Sequence, residues 1–106
     1  MEIADWRKQI DELDRRLVEL LNQRAQAAQE IGRLKRHTSM PIYEPDREKI
    51  IFENVRRANR GPLPDYELRH VYERIIDVMR NIQKMEIVDE SPEAPRVAEF
   101  ERKVND

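Results

Sequence analysis

A chain of 106 residues in which 40% of the side chains are charged, for a net charge of −2, is about one domain of sequence, a size at which burial against a partner helps a modest core. The absence of cysteine excludes disulfides, thiolate metal sites and cysteine nucleophiles. No apolar run approaches the roughly 18 residues that span a bilayer and no basic-then-apolar leader opens the chain, so a cytoplasmic protein without a membrane partner is expected.

From Ile3 to about Lys35 the apolar residues Ile3, Trp6, Ile10, Leu13, Leu17, Leu20, Ala27, Ile31 and Leu34 recur in steps of three and four, the period of one amphipathic helix. No proline interrupts this stretch and no glycine precedes Gly32. At 1.5 Å per residue it forms a rod of roughly 50 Å, whereas a compact fold of this size has a radius of gyration of about 13 Å. The rod should project beyond its own fold and pack on a second copy, giving an intertwined helical homodimer.

Residues His37 to Tyr43 read as a connection, and Pro45 with Asp46 suits the first turn of a second helix ending near Asn59. Its apolar face is Ile51, Val55 and Ala58, with Ile50 and Phe52 beside it. The breakers Asn59-Arg60-Gly61-Pro62-Leu63-Pro64 separate it from a third helix running from about Asp65 to Ile87. The stripe of that helix is Leu68, Val71 or Tyr72, Ile75, Met79 and Ile82. The fold class is therefore all-α, three helices with a long first one, over a domain of residues 1–88. Residues 89–106 read as a C-terminal tail or linker: Ser91-Pro92-Glu93-Ala94-Pro95 and then a segment that would align Val97, Phe100 and Val104 on one helical face.

The apolar pattern breaks in places that carry charge. Where the first stripe calls for an apolar residue the chain has Arg24, and Lys35 returns to within about 20° of the same face roughly 16 Å further on. An arginine on a packing face usually has a carboxylate to meet, from the protein or from a ligand. The alternative is a helix-end lysine complementing the dipole and an arginine snorkelling past Ala27 and Ala28. In the second helix Glu44, Arg47 and Glu48 extend the apolar seam, an arrangement that a helix start also explains. In the third, Gln83 borders the stripe one turn after Met79. Arg7 lies about 25 Å along the rod from Arg24, so only an antiparallel neighbour brings the two to one ligand. Basic and acidic residues alternate along every helix, which argues against nucleic-acid binding.

The stretches Leu13-Asp14-x-x-Leu17-x-x-Leu20-Leu21-x-x-Arg24, Ile31-Gly32-x-x-Lys35, Pro41-Ile42-Tyr43-x-Pro45-x-Arg47-Glu48 and Ile75-Ile76 through Gln83 together resemble the all-helical family of chorismate mutases. The resemblance implies an isomerase of the shikimate pathway that converts chorismate to prephenate for phenylalanine and tyrosine synthesis, with no cofactor and no metal. It implies that Arg24 and Arg47, with Arg7 of the other protomer, bind the substrate carboxylates. Lys35 and Gln83 would face the breaking ether bond, and Glu48 the hydroxyl. Glu44 stands where the family commonly has aspartate, and Met79 where a serine often stands, which removes a possible polar contact. A fused or associated shikimate-pathway enzyme is the partner implied beyond the homodimer. An isochorismate pyruvate-lyase of the same fold and a non-catalytic regulatory helical dimer are the competing readings, although a pure scaffold has no reason to place Arg24 on the seam.

Overall fold

A computed structural model describes residues 1–88 of the chain; the expectations for the tail and for Val97, Phe100 and Val104 lie outside the described residues. Three helices follow in order: α1 (Ile3–Lys35), α2 (Pro45–Ala58) and α3 (Asp65–Val88). No strand occurs among the described residues, and no helix among them is long and apolar enough to cross a membrane.

The ends of the helices follow from local chemistry. Glu2 and Asp5 form a reciprocal capping box at the start of α1, Asp5 accepting from the Glu2 backbone N–H at 2.9 Å, which satisfies donors the first turn leaves free. Pro45 opens α2, where its missing N–H costs nothing. Asn59 ends α2 and braces the turn beyond it. Its side-chain amide donates to Leu63 O at 2.8 Å and to the Asp65 carboxylate at 2.6 Å, and accepts from the Gly61 N–H at 3.0 Å. Gly61 sits at φ 72°, in the left-handed region where a side chain is strained.

Both other helices pack on α3, and α1 and α2 do not pack on one another. The residues of α1 buried by this packing are Ala28, Gly32 and Lys35. They lie one position beyond the stripe Ala27, Ile31 and Leu34 read from the sequence, of which all three are exposed. The displacement has a steric cause: the side of α1 that touches α3 is chosen for small size. A Cβ on Gly32 would stand 3.0 Å from Cα and O of Gln83 and 3.0 Å from Cβ of Glu86. On α3, Ile76 and Met79 are buried, Tyr72 rather than Val71 turns partly inward, and on α2 Ile50 and Ala58 are exposed while Ile51, Phe52 and Val55 are half-buried.

A polar clasp closes the far end of this packing. Glu86, only 8% exposed, accepts from Arg33 Nε at 3.2 Å and Arg36 Nη2 at 3.4 Å, and its backbone carbonyl accepts from Arg36 Nε. Two guanidinium groups thus compensate one buried carboxylate, as burial demands. The N-terminal part of α1 stands clear of α2 and α3. Trp6 is 53% and Leu17 55% exposed, and the radius of gyration is 17.1 Å against about 13 Å for a compact chain of 100 residues.

Gly32→Ala forces the backbones of α1 and α3 apart. Overpacking of this kind costs about 1–3 kcal/mol, against a helix-propensity gain of up to about 1 kcal/mol for alanine. The expected net result is a loss of about 1 kcal/mol, read as a lower denaturant midpoint at unchanged slope.

Candidate active site

Where the C-terminal half of α1, the loop before α2, the start of α2 and the last turns of α3 meet, they enclose a cavity of about 570 Å³. α1 contributes Arg24, Ala27, Ile31 and Lys35. From the loop and α2 come Ile42, Glu44, Arg47, Glu48 and Ile51, and from α3 Ile76, Met79, Arg80 and Gln83. The walls thus combine aliphatic side chains and Met79 with a dense set of charged and amide groups.

Lys35 is the last residue of α1 and is 6% exposed, so it is not a frayed helix-end lysine. Its ammonium donates to Gln83 Oε1 at 2.9 Å, pairs with Glu44 Oε1 at 2.9 Å and donates at a longer 3.4 Å to Ile42 O. Three protons have three acceptors, which makes the buried charge tolerable. The chain turns back to supply the third acceptor because Thr38 folds onto the end of α1, its N–H and hydroxyl both donating to Lys35 O at 3.1 and 3.3 Å.

The same network orients Gln83. An ammonium can only donate, so the amide oxygen faces Lys35 and the amide N–H₂ faces elsewhere. That N–H₂ has no partner among the described residues. Gln83 lines the cavity, so its donors are available to a ligand there.

Arg24 and Arg47 differ from Lys35 in having no hydrogen bond or ion pair among the described residues. Four cations (Arg24, Lys35, Arg47, Arg80) and two carboxylates (Glu44, Glu48) line the cavity, leaving two positive charges over. A part-enclosed cavity with surplus cations and reduced access to water concentrates anions. Two guanidinium forks without partners among the described residues suit carboxylates, which each fork can grip at two points. Among the described residues no group of three or more His, Asp or Glu side chains is placed to hold a metal ion.

Of the residues singled out in the sequence, Arg24, Lys35, Glu44, Arg47, Glu48, Met79 and Gln83 all line this cavity. Arg7 does not; it lies about 25 Å along α1 from Arg24. Glu44 precedes α2 in a non-helical conformation (φ −126°, ψ 86°), so it reaches the cavity from the loop and not as part of a helical face. Met79, 5% exposed, is a wall residue with no polar contact to offer. The sequence reading missed Arg80, which makes an ion pair to Glu48 at 3.0 Å. Its signal was its place one turn before Gln83, beside Met79 of the apolar stripe.

Fold and cavity define a class: a small three-helix protein with a cation-lined cavity between its helices. The chorismate mutase type II family model matches residues 6–84, and the chain belongs to that family. It is similar to the bifunctional chorismate mutase/prephenate dehydratase of Aquifex aeolicus (38% identical over 87 residues, 78% of this chain). It is also similar to the chorismate mutase of Methanocaldococcus jannaschii (34% identical over 83 residues, 77% of this chain and 84% of that one). The chain spans 24% of the length of the Aquifex protein. Among solved structures, the chorismate mutase of Helicobacter pylori in complex with prephenate superposes with a TM-score of 0.73 at 28% identity, covering 84% of this chain and 96% of that one. The chorismate mutase of Thermus thermophilus superposes with a TM-score of 0.75 at 32% identity, covering 77% of this chain and 93% of that one.

Arg24 has no partner to lose among the described residues, so Arg24→Leu should leave the thermal midpoint unchanged or higher. A hydrogen-bonded charge contributes about 1.5–3 kcal/mol, so the same variant should bind a small dicarboxylate at least about tenfold more weakly by calorimetry.

Proposed function

We propose that this chain rearranges chorismate to prephenate without a cofactor, in a site that two copies of the chain complete. The observation that carries the reading is the buried Lys35 ammonium, hydrogen-bonded to the Gln83 amide, on a cavity whose two available guanidinium groups and two surplus positive charges match a dianion. The family membership supports it, as does the likeness to a Helicobacter pylori mutase that holds prephenate.

The reaction needs little covalent help. In one step the ether carbon–oxygen bond breaks as a carbon–carbon bond forms between the enolpyruvyl methylene and the ring, and no atom or proton enters or leaves. The protein's tasks are to hold the enolpyruvyl arm over the ring and to stabilise charge that grows on the ether oxygen. Arg24 and Arg47 perform the first by gripping the carboxylates, and Arg7 of the second copy adds a further grip. Glu48 accepts from the ring hydroxyl. Lys35 exchanges its longest bond, the one to Ile42 O, for the ether oxygen, while its bonds to Gln83 and Glu44 keep it aimed. The free N–H₂ of Gln83 supplies a second donor. Both strengthen as the bond lengthens, so they favour the transition state over bound substrate.

The second copy is inferred from α1. Ile3, Trp6, Ile10, Leu13, Leu17 and Leu20 form an exposed apolar stripe of a size that monomeric proteins rarely leave uncovered. A two-fold pairing with α1 running antiparallel would cover the stripe of each copy and bring Arg7 of one to Arg24 of the other. Residues 1–88 are taken as the catalytic domain, in keeping with the family match that ends at residue 84. The Aquifex relative is bifunctional with prephenate dehydratase, which favours a fused or associated enzyme of that class as partner, in the cytoplasm.

Removing an oxyanion-type donor costs about 10²–10³ in kcat, and Lys35→Ala should show at least that loss when chorismate absorbance is followed and the product identified. Prephenate as product supports the mutase; pyruvate released from isochorismate, with chorismate untouched, would overturn it in favour of the lyase. Shared sites have a separate test. Arg7→Ala and Arg24→Ala are each expected to be inactive, and mixing them after unfolding and refolding together should restore activity, because the mixed dimer holds one intact site. No recovery on mixing would rule out a site built from two copies.

A further inference from the structure

We propose that Arg80 is a positioning residue of this site, fixing the carboxylate of Glu48 so that one of its oxygens is left for the ligand. The inference rests on the chorismate reading above.

Arg80 is held on three sides, by three different parts of the chain. Its Nη2 donates to Asp77 Oδ1 at 2.9 Å, one turn earlier on α3. Its guanidinium lies 5.3 Å from the ring centre of Tyr43, in the loop before α2. Its Nε donates to Glu48 Oε2 on α2 at 3.0 Å, at the cavity wall. The side chains of Arg80 and Glu48 are 32% and 19% exposed, so the pair is partly withdrawn from water and less screened than a surface pair. A guanidinium is planar and presents its donors in a fixed fork. With Asp77 and Tyr43 setting the plane, the direction of the third bond is set as well.

Two consequences bear on the ligand. With Oε2 of Glu48 taken up by Arg80, Oε1 is the oxygen left to accept from a hydroxyl of a molecule in the cavity, and its direction is fixed before binding. Preorganisation of this kind removes an ordering cost from association. Arg80 also compensates a carboxylate that would otherwise face a dianion. Without Arg80, one of the two surplus charges on the cavity wall is gone and Glu48 repels the ligand it should receive.

A plain structural clamp between α2 and α3 would involve the same bonds, so the test must separate the two roles. Arg80→Leu and Arg80→Lys are made in the wild-type chain and in a Glu48→Gln background, with kcat, KM and the thermal midpoint measured for each on chorismate. A double-mutant cycle isolates a coupled pair from two independent losses. For a partly desolvated charge pair the expected loss in kcat/KM for Arg80→Leu is about tenfold, carried mainly by KM. Arg80→Lys restores the charge but not the fork, and should recover part of that loss. In the Glu48→Gln background, removing Arg80 should cost less than about threefold, since the group it positions is already altered.

Equal losses from Arg80→Leu in both backgrounds, or a fall in kcat that tracks the thermal midpoint at constant KM, would overturn the assignment in favour of a clamp. An undiminished Arg80→Leu would overturn it outright. If Arg80→Leu does not fold, Arg80→Lys and Arg80→Gln carry the same cycle. Wild-type protein that leaves chorismate unchanged would overturn this inference together with the reading it rests on, whereas active wild type with additive losses overturns this inference alone.

Discussion

The site depends on one close approach. Where α1 crosses α3, the two backbones come near enough that a Cβ on Gly32 would stand 3.0 Å from the backbone of Gln83. Gly32 and Lys35 are neighbours on one face of α1, less than a turn apart, so the contact that brings the helices together also delivers the lysine to the glutamine at 2.9 Å. The Glu86 clasp with Arg33 and Arg36 holds the same crossing from the other side. Packing and polar geometry are here one constraint: a larger residue at position 32 would move the helix and the ammonium together.

The cavity also shows two ways of treating a charge. Lys35 is buried and saturated by Gln83, Glu44 and Ile42, and Arg80 is tied to Glu48 and Asp77. Such groups are fixed in direction at the cost of desolvation. Arg24 and Arg47 have no partners among the described residues, which keeps their forks free for a ligand. Fixed groups suit a reacting bond, whose partners must not reorganise, and free ones suit the capture of carboxylates. For Lys35, Arg24 and Arg47 this division parallels the division of tasks in the proposed rearrangement, while Arg80 is fixed in order to aim Glu48.

Much of this was legible in the sequence. The three helices, the proline at the start of α2 and the breaker stretch around Gly61 follow from period and local chemistry. The anomalous placement of Arg24 and Lys35 pointed to one wall, and both line one cavity. What periodicity misjudged was the inner face of α1, because a search for large apolar residues passes over Ala28 and Gly32, the residues whose smallness lets the helices touch. Roles taken from the family resemblance, such as those of Glu48 and Gln83, had no other basis in spacing. Arg80 escaped notice because its significance lies in partners on two other elements, Tyr43 and Glu48, which no single-helix pattern brings together.

The orientation forced on Gln83 has an electrical consequence. An amide whose oxygen accepts from an ammonium is polarised along its whole conjugated length, and its N–H groups become better donors than those of an amide in water. Gln83 thereby conducts part of the lysine's field to a point the ammonium does not touch. Since a neutral amide neither gains nor loses a proton in doing so, that field is spread over two donors while the cavity gains no further charge to desolvate.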